Sequence, residues 1–575
     1  MFKRLLAAAV LPFLAAACAA PASHELRPAG AHDPVAHETG GVVSAADPRA
    51  AEAGAVMLRK GGSAADAAIA VMLALTVVEP QSSGIGGGGF YLHSRADGTV
   101  ETIDGRETAP RAAGPDWFLD EDGTPLNYME AVLGGRSVGV PGNIALAAQA
   151  HERHGKLAWA ELFAPAIALA REGYVLTERG REFLVRANNR AAYDPEGAAL
   201  YFGADGEPVP AGTLVRNPAL AATLEMIASQ GPQAFHSGTF AAGLAGKIAE
   251  ATPGGARMAV EDIADYRAPM RDPVCGHYRA YLVCGMGPPS SGATTVFAIL
   301  KQLERFDLAA MGPENPAFWH VFAESQRLAF ADRELYLADA DFVSVPVAGL
   351  VDPDYLAARG ALIAVDGRME SVEPGTPAGA DIALADGAEP AENGTSHFVA
   401  VDGAGNAVSY TSTIEGPFGS GLFYEGFYLN NELTDFSFVP EKDGRIVANR
   451  VEGGKRPRSS MAPSLVFGAD GKLRLAVGAA GGSTIPVQVA KTIIGVIDFG
   501  LSAQDAVALP VAFSPGDGIA IEQGSRLEAL VPALEALGHS VSARSLPIKT
   551  NAAESVDGIL TGAADPRSEG ATARP

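Results

Sequence analysis

The stretch Gly394-Thr395-Ser396-His397-Phe398-Val399-Ala400-Val401-Asp402-Gly403-Ala404-Gly405-Asn406-Ala407-Val408-Ser409-Tyr410-Thr411-Ser412-Thr413-Ile414 reads as two strands around a turn. Residues 397–401 and 407–414 are rich in β-branched and aromatic side chains, and residues 402–406 have turn chemistry. Closing that loop pairs Val401 with Ala407. Carried outward, the register sets Thr395 opposite Thr413, on the same sheet face as Thr411; a bulge would move it by one. A threonine hydroxyl is a weak nucleophile without a base. A free α-amino group titrates at roughly pH 8, so a threonine at a new N-terminus carries its own base. The Gly394–Thr395 bond suits such a cut, because Gly394 has no Cβ and leaves its carbonyl open to the Thr395 hydroxyl. The expected chemistry is an N-to-O acyl shift and ester hydrolysis, with Thr413 holding the Thr395 rotamer.

Upstream, residues 41–364 alternate helical and strand-like segments, as a mixed α/β body does. Residues 145–155, 159–173 and 316–338 have helical periodicity, and Ala64–Val78 reads as a buried helix despite Asp66. Residues 366–394, rich in Gly, Pro, Ala and acids, read as a mobile linker. Downstream the pattern is strongly β. Residues 473–477 read as a strand, followed by Gly481-Gly482-Ser483 and a helix from about Thr484 with Pro486 in its first turn. Backbone N–H groups at that glycine pair meet the needs of an oxyanion hole, a phosphate cradle or a plain tight turn. Ser525 and Glu528 form a capping-box pattern for a helix closed by Gly538, and the residues from about Arg567 read as a frayed tail. Residues 84–89 fit a dinucleotide fingerprint by letters, but they follow a helix and precede a strand, the reverse of what such a site requires.

Several groups suit an amino-acid end. Arg106 can clamp a carboxylate, Ser459 and Ser460 can donate to it, and Glu432 and Asp435 can hold an ammonium. The chain has 575 residues, 47% of them hydrophobic, enough for a large layered core. A net charge of −24 without basic runs argues against nucleic acid and anionic membranes as partners. Met1-Phe2-Lys3-Arg4 and the apolar residues 5–17 have the form of an export signal too short to span a bilayer. Cleavage near Ala20 would give a periplasmic protein; processing at Cys18 would give a lipid-anchored one. Cys275 and Cys284 flank a hairpin-like pair of strands, as a disulfide or as two unpaired thiols. No Cys/His spacing resembles a zinc site.

Together these elements resemble the γ-glutamyltranspeptidase family of N-terminal nucleophile hydrolases, from about Gly41 to Arg567. The likeness includes Asp104-Gly105-Arg106-Glu107, Val140-Pro141-Gly142, Pro288-Pro289-Ser290-Ser291-Gly292, Gly394-Thr395-Ser396-His397, the runs 430–436, 456–463 and 478–483, and Ala564-Asp565-Pro566-Arg567. The resemblance implies a four-layer αββα sandwich. It implies self-cleavage before Thr395 into a large subunit, 21–394, and a small subunit, 395–575, that stay associated. Thr395 would attack the γ-amide of glutathione or another γ-glutamyl donor. Gly481 and Gly482 would hold the oxyanion, and the acyl group would pass to water or to an amino acid or peptide amine. Arg106, Ser459 and Ser460 would take the α-carboxylate, Glu432 and Asp435 the α-ammonium. No metal or organic cofactor is implied.

Two departures bear on specificity. Glu415 stands where a well-known part of the family has Asn, and beside Glu432 and Asp435 it would favour a cation or force one acid to hold a proton. The segment between Phe436 and Lys455 is short and has no Tyr or Trp to wall off the glutamyl pocket, as in a lid-poor bacterial branch. Two other readings remain: a glutaryl-type β-lactam acylase on the same machinery, and a processed but catalytically idle envelope protein.

Overall fold

Thirteen strands build two sheets: β1 (Val42–Ala45), β2 (Gly88–Ser94), β3 (Val100–Asp104), β4 (Met270–Arg271), β5 (Val274–Tyr278), β6 (Tyr281–Gly285), β7 (Ser396–Val401), β8 (Ala407–Thr413), β9 (Ser464–Phe467), β10 (Leu473–Ala480), β11 (Lys549–Val556), β12 (Ile559–Ala564) and β13 (Ala571–Ala573). The first sheet runs β13-β1-β7-β8-β2-β3-β4 and the second β12-β11-β10-β9-β6-β5. The computed structural model describes residues 40–254, 257–381, 383–387 and 394–575. The export signal, Ala20, Cys18 and residues 388–393 of the linker lie outside the described residues.

Alternation along the strands separates two cores. Phe398, Ala400, Val408 and Tyr410 of the first sheet pack with α1 (Pro48–Arg59) and α2 (Ala64–Val78). Val399, Val401 and Ala407 point the other way, against Leu465, Leu475 and Val477 of the second sheet. That sheet is covered on its far side by α3 (Gly292–Leu303), α4 (Pro316–Tyr336) and α5 (Ile485–Ile497). The result is helix, sheet, sheet, helix: a four-layer αββα sandwich, with Thr395 and Thr413 on the parity that faces between the sheets.

Local chemistry explains the key elements. All fifteen residues of α2 are buried, Asp66 included, because Asp66 is a cap. Its Oδ2 accepts from Ser63 N at 2.8 Å and Ser63 Oγ accepts from Asp66 N at 3.1 Å, a reciprocal box worth about 1 kcal/mol. The β7–β8 turn is tied by Asp402, whose Oδ1 accepts from Ala404 N and Asn406 N at 3.0 Å each. Val401 pairs with Ala407 and Ser396 with Ser412, with no bulge. Cys275 and Cys284 face each other across β5–β6 and are joined in a disulfide.

Four expectations change. The 159–173 helix is a 3₁₀ turn, Trp159–Phe163, followed by a helix over Ala164–Glu172, since Pro165 suits only a first turn. The segment after Ser525 is likewise split, into 3₁₀ Arg526–Leu530 and a short helix Val531–Ala536 begun by Pro532; Ser525 Oγ caps Leu527 N rather than Glu528 N. The C-terminus is not a frayed tail. Arg567 is held by Asp565 and Glu522, and β13 pairs with β1 at the sheet edge. The linker expected over 366–394 is, in its described residues 366–381 and 383–387, mostly irregular yet bound to the body. Met369 N donates to Glu324 Oε2 at 2.6 Å, Gly375 N to Asp332 Oδ1 at 2.7 Å, and Leu384–Ala385 pairs with Ile446 and Val447.

Candidate active site

The register of β7 and β8 brings Thr395 and Thr413 together at the end of the inter-sheet space. Thr395 Oγ1 donates to Thr413 Oγ1 at 3.2 Å, and the same Thr413 oxygen accepts from Glu415 N at 2.8 Å. Both threonines are buried. Thr395 has φ +121° and Glu415 φ +68°. Positive φ is an outlier for a β-branched residue and stores about 1–3 kcal/mol where surrounding contacts hold it. Gly394 is required by space: a Cβ there would lie 1.6 Å from the Glu415 carbonyl oxygen. The junction is therefore a bare peptide group next to a strained, hydrogen-bonded hydroxyl.

Across from it, β10 ends and Gly481 turns the chain at φ +126°. A Cβ on Gly481 would meet the Pro547 carbonyl oxygen at 2.0 Å. Thr484 closes the turn, its Oγ1 donating to Gly481 O at 2.8 Å, and α5 follows with Pro486 in its first turn. Among the described residues neither the Gly481 nor the Gly482 N–H has a hydrogen-bond acceptor. Thr395 and Gly481 line one cavity of about 800 Å³, with Ser82, Pro417, Gln523 and Lys549 on its walls.

The proposed amino-acid pocket forms a second, buried cluster that does not line this cavity. The Arg106 guanidinium is paired with Glu432 and Asp435 and donates to Pro457 O at 3.1 Å and Arg458 O at 2.9 Å. The same chain turn carries Ser459 and Ser460; Ser459 Oγ accepts from Met461 N and Ser460 Oγ from Arg333 Nη2 at 2.8 Å. Groups expected at opposite ends of a ligand are thus paired with each other. Acids outnumber the cation here. Burial pushes Glu107, next to Arg106, up to about 8 against the pull of the guanidinium. Glu432 is raised well above the carboxylate range by burial, with Arg106 opposing and Glu107 and Glu415 adding to it. One of these acids holds a proton at neutral pH.

Glu415 links the two groups. Asn431 Nδ2 donates to it, Asn431 Oδ1 accepts from Gly416 N at 2.9 Å, and Tyr128 OH donates to Glu415 Oε2 at 3.3 Å. Tyr128, on the short helix Tyr128–Val132, supplies a tyrosine where the 437–454 segment has neither Tyr nor Trp. Arg190 donates to its hydroxyl at 3.1 Å and lies 5.4 Å over the ring. Sequence reasoning missed Tyr128 and Arg190 because nothing local marks them. It also missed a buried ion pair beside the nucleophile. Lys549 Nζ donates to Glu79 at 2.9 and 3.1 Å, and Ser396 Oγ donates to the same carboxylate at 2.6 Å. Among the described residues no cluster of His, Cys, Asp or Glu could hold a metal, and no helix is long and apolar enough to cross a membrane.

Comparison with known proteins gives the context. A family model described as Gamma-glutamyltranspeptidase matches residues 50–574. A glutathione hydrolase proenzyme of Bacillus subtilis (strain 168) is 36% identical over 99% of this chain and 96% of its own. An Acylase ACY 1 proenzyme of Pseudomonas sp. (strain V22) is 36% identical over 92% of each. Among solved structures, cephalosporin acylase from Bacillus halodurans superposes with a TM-score of 0.81, at 26% identity, over 96% of this chain and 98% of that one.

Proposed function

The chain belongs to the γ-glutamyltranspeptidase family, and on that premise we propose that it is an exported proenzyme that cuts itself before Thr395 and transfers γ-glutamyl groups. The observation that carries this reading is Thr395, hydrogen-bonded to Thr413 and lining one cavity with Gly481.

In the precursor, the Thr395 hydroxyl attacks the Gly394 carbonyl carbon. The C–N bond breaks, the hydroxyl proton passes to the departing nitrogen, and the acyl group rests on Oγ1 as an ester. Water hydrolyses that ester, leaving a Gly394 carboxylate and a Thr395 α-amine. In turnover the α-amine takes the hydroxyl proton as Oγ1 attacks the γ-amide carbon of the donor. The oxyanion is met by the Gly481 and Gly482 N–H groups, a contribution of about 2.7–4 kcal/mol per donor in comparable sites. The ammonium then protonates the leaving amine, and water or an acceptor amine resolves the Thr395 ester. Arg106, Ser459 and Ser460 take the donor's α-carboxylate, while Glu432 and Asp435 take its ammonium. Glu415 steadies this end through Asn431 and Tyr128. The two chains from one precursor stay associated, and the N-terminal segment directs export to the periplasm, with Cys18 as the alternative lipid anchor.

A second reading has a specific observation behind it. A relative named acylase reaches the same 36% identity as one named glutathione hydrolase, over a somewhat shorter stretch. A glutaryl group has no ammonium, so Glu432 and Asp435 favour the γ-glutamyl donor. The deciding test is anilide release by the processed protein from γ-glutamyl and glutaryl anilides side by side. Turnover of the γ-glutamyl compound supports the first reading; preference for the glutaryl compound moves the enzyme to the acylases. Thr395→Ala should leave one uncut chain; two chains from that variant would refute self-cleavage.

A further inference from the structure

The cavity at Thr395 is basic on one wall in a way the reaction above does not use. Arg179 and Arg186 of the helix Glu178–Arg186, and Arg190 of the helix Asn188–Ala191, all line it. Arg179 and Arg186 lie 5.4 and 4.7 Å over the Phe183 ring, and Arg190 lies over Tyr128. Stacking fixes guanidinium planes without neutralising them. Other cations on the same wall are compensated: Lys549 by Glu79, and Arg567 by Asp565 and Glu522. Arg179 and Arg186 take part in none of the ion pairs among the described residues, and Arg190 donates to Tyr128. The acids nearest Arg179 are already engaged, Glu79 by Lys549 and Glu569 by Thr177, whose Oγ1 donates to it at 3.0 Å. Arg190 is buried, its Nη2 donating to Tyr128 and its Nη1 packed beside Gly416, so it belongs to the Tyr128–Glu415 group rather than to the open wall. That such a wall persists in a chain of net charge −24 is the more telling.

Position decides which part of a substrate meets this wall. The glutamyl-end cluster around Arg106 lies outside the cavity, whereas Thr395 and Gly481 line it. Whatever fills the cavity is thus attached on the other side of the attacked carbonyl: the amine that leaves, or the amine that later accepts. Arg179 and Arg186 are seven residues apart on one helix and share the Phe183 ring, so the wall presents two guanidinium groups side by side.

We propose that Arg179 and Arg186 form a subsite for an amine partner bearing two or more carboxylates, an acidic peptide. This rests on the γ-glutamyl-transfer reading. The test uses the processed enzyme and three γ-glutamyl tripeptides. Their two trailing residues are alanines ending in an amide, alanines ending in a free acid, or two aspartates. The expected result is a kcat/KM that rises about tenfold with the first added carboxylate and further with the next, as charge-assisted arginine contacts allow. About 0.5 M salt should shrink the rise. The Arg179→Gln/Arg186→Gln variant should lose most of it, and Arg186→Glu should favour the amide. A wild-type preference under about twofold, or one that survives both variants, would overturn the subsite. No turnover of any of the three would instead overturn the γ-glutamyl reading beneath it.

Discussion

Replacing Thr413 by valine removes one oxygen and leaves shape and strand preference almost unchanged, so it isolates what that hydroxyl does. Thr413 Oγ1 accepts two hydrogen bonds, from Thr395 Oγ1 at 3.2 Å and from Glu415 N at 2.8 Å. A neutral hydrogen bond contributes about 0.5–1.5 kcal/mol, and a buried N–H left without an acceptor costs about 1–3 kcal/mol. Together these put about 2–4 kcal/mol on the geometry of the nucleophile, which corresponds to roughly 30- to 1,000-fold in rate. Both steps draw on it, because the Glu415 carbonyl also packs on Gly394. Thr413→Val should therefore slow conversion of precursor to two chains, followed on denaturing gels, and slow turnover once conversion is complete. Thr413→Ser keeps the oxygen and should stay within about tenfold of wild type. A valine variant that processes and turns over within about twofold of wild type, with the serine variant no better, would refute the role given to this hydroxyl.

Three further outcomes follow from the same geometry. Gly394→Ala should fail to yield a folded, processing-competent chain, since backbone oxygen cannot retreat from a Cβ at 1.6 Å; normal processing of that variant would show that the junction is looser. Glu79→Gln should strand the buried Lys549 charge and destabilise the protein by about 3–5 kcal/mol, whereas Glu79→Gln/Lys549→Met should recover most of that loss in urea unfolding. Glu107 titrates at 4.5 when unperturbed and is pushed up to about 8 by burial. Between those values the folded chain binds the extra proton, so stability falls as pH rises, and the loss is complete above about 8. Glu107→Gln should flatten that slope, leaving the part that the raised Glu432 carries; parallel wild-type and variant curves from pH 5 to 8 would reject the assignment.

Legibility in the sequence followed the range of the interaction. The Thr395–Thr413 pairing was legible because a five-residue loop fixes a register, and period-two alternation then carries it outward. Gly481 and Gly482 were legible because a strand, a glycine pair and an early proline leave few geometries. The Lys549–Glu79 pair was not, because its partners are 470 residues apart and each reads locally as an ordinary surface charge. Tyr128 and Arg190 were hidden for the same reason, and β13 because an Ala-Thr-Ala edge strand is held by main-chain bonds that no side-chain pattern announces.

The strand order has one more consequence. In the first sheet, β1 of the segment before residue 394 lies between β13 and β7 of the segment after it. In the second, β6 and β5 complete a sheet whose other four strands come later in the chain. A cut at Gly394–Thr395 would leave two polypeptides woven through both sheets, neither holding a whole one. Before the cut, folding is a first-order event with the two parts tethered at high effective concentration. Afterwards, a molecule that unfolds must find a second chain to return, so recovery becomes second-order and dilution alone defeats it. Maturation would convert a reversible equilibrium into a lifetime set by the rate of first unfolding.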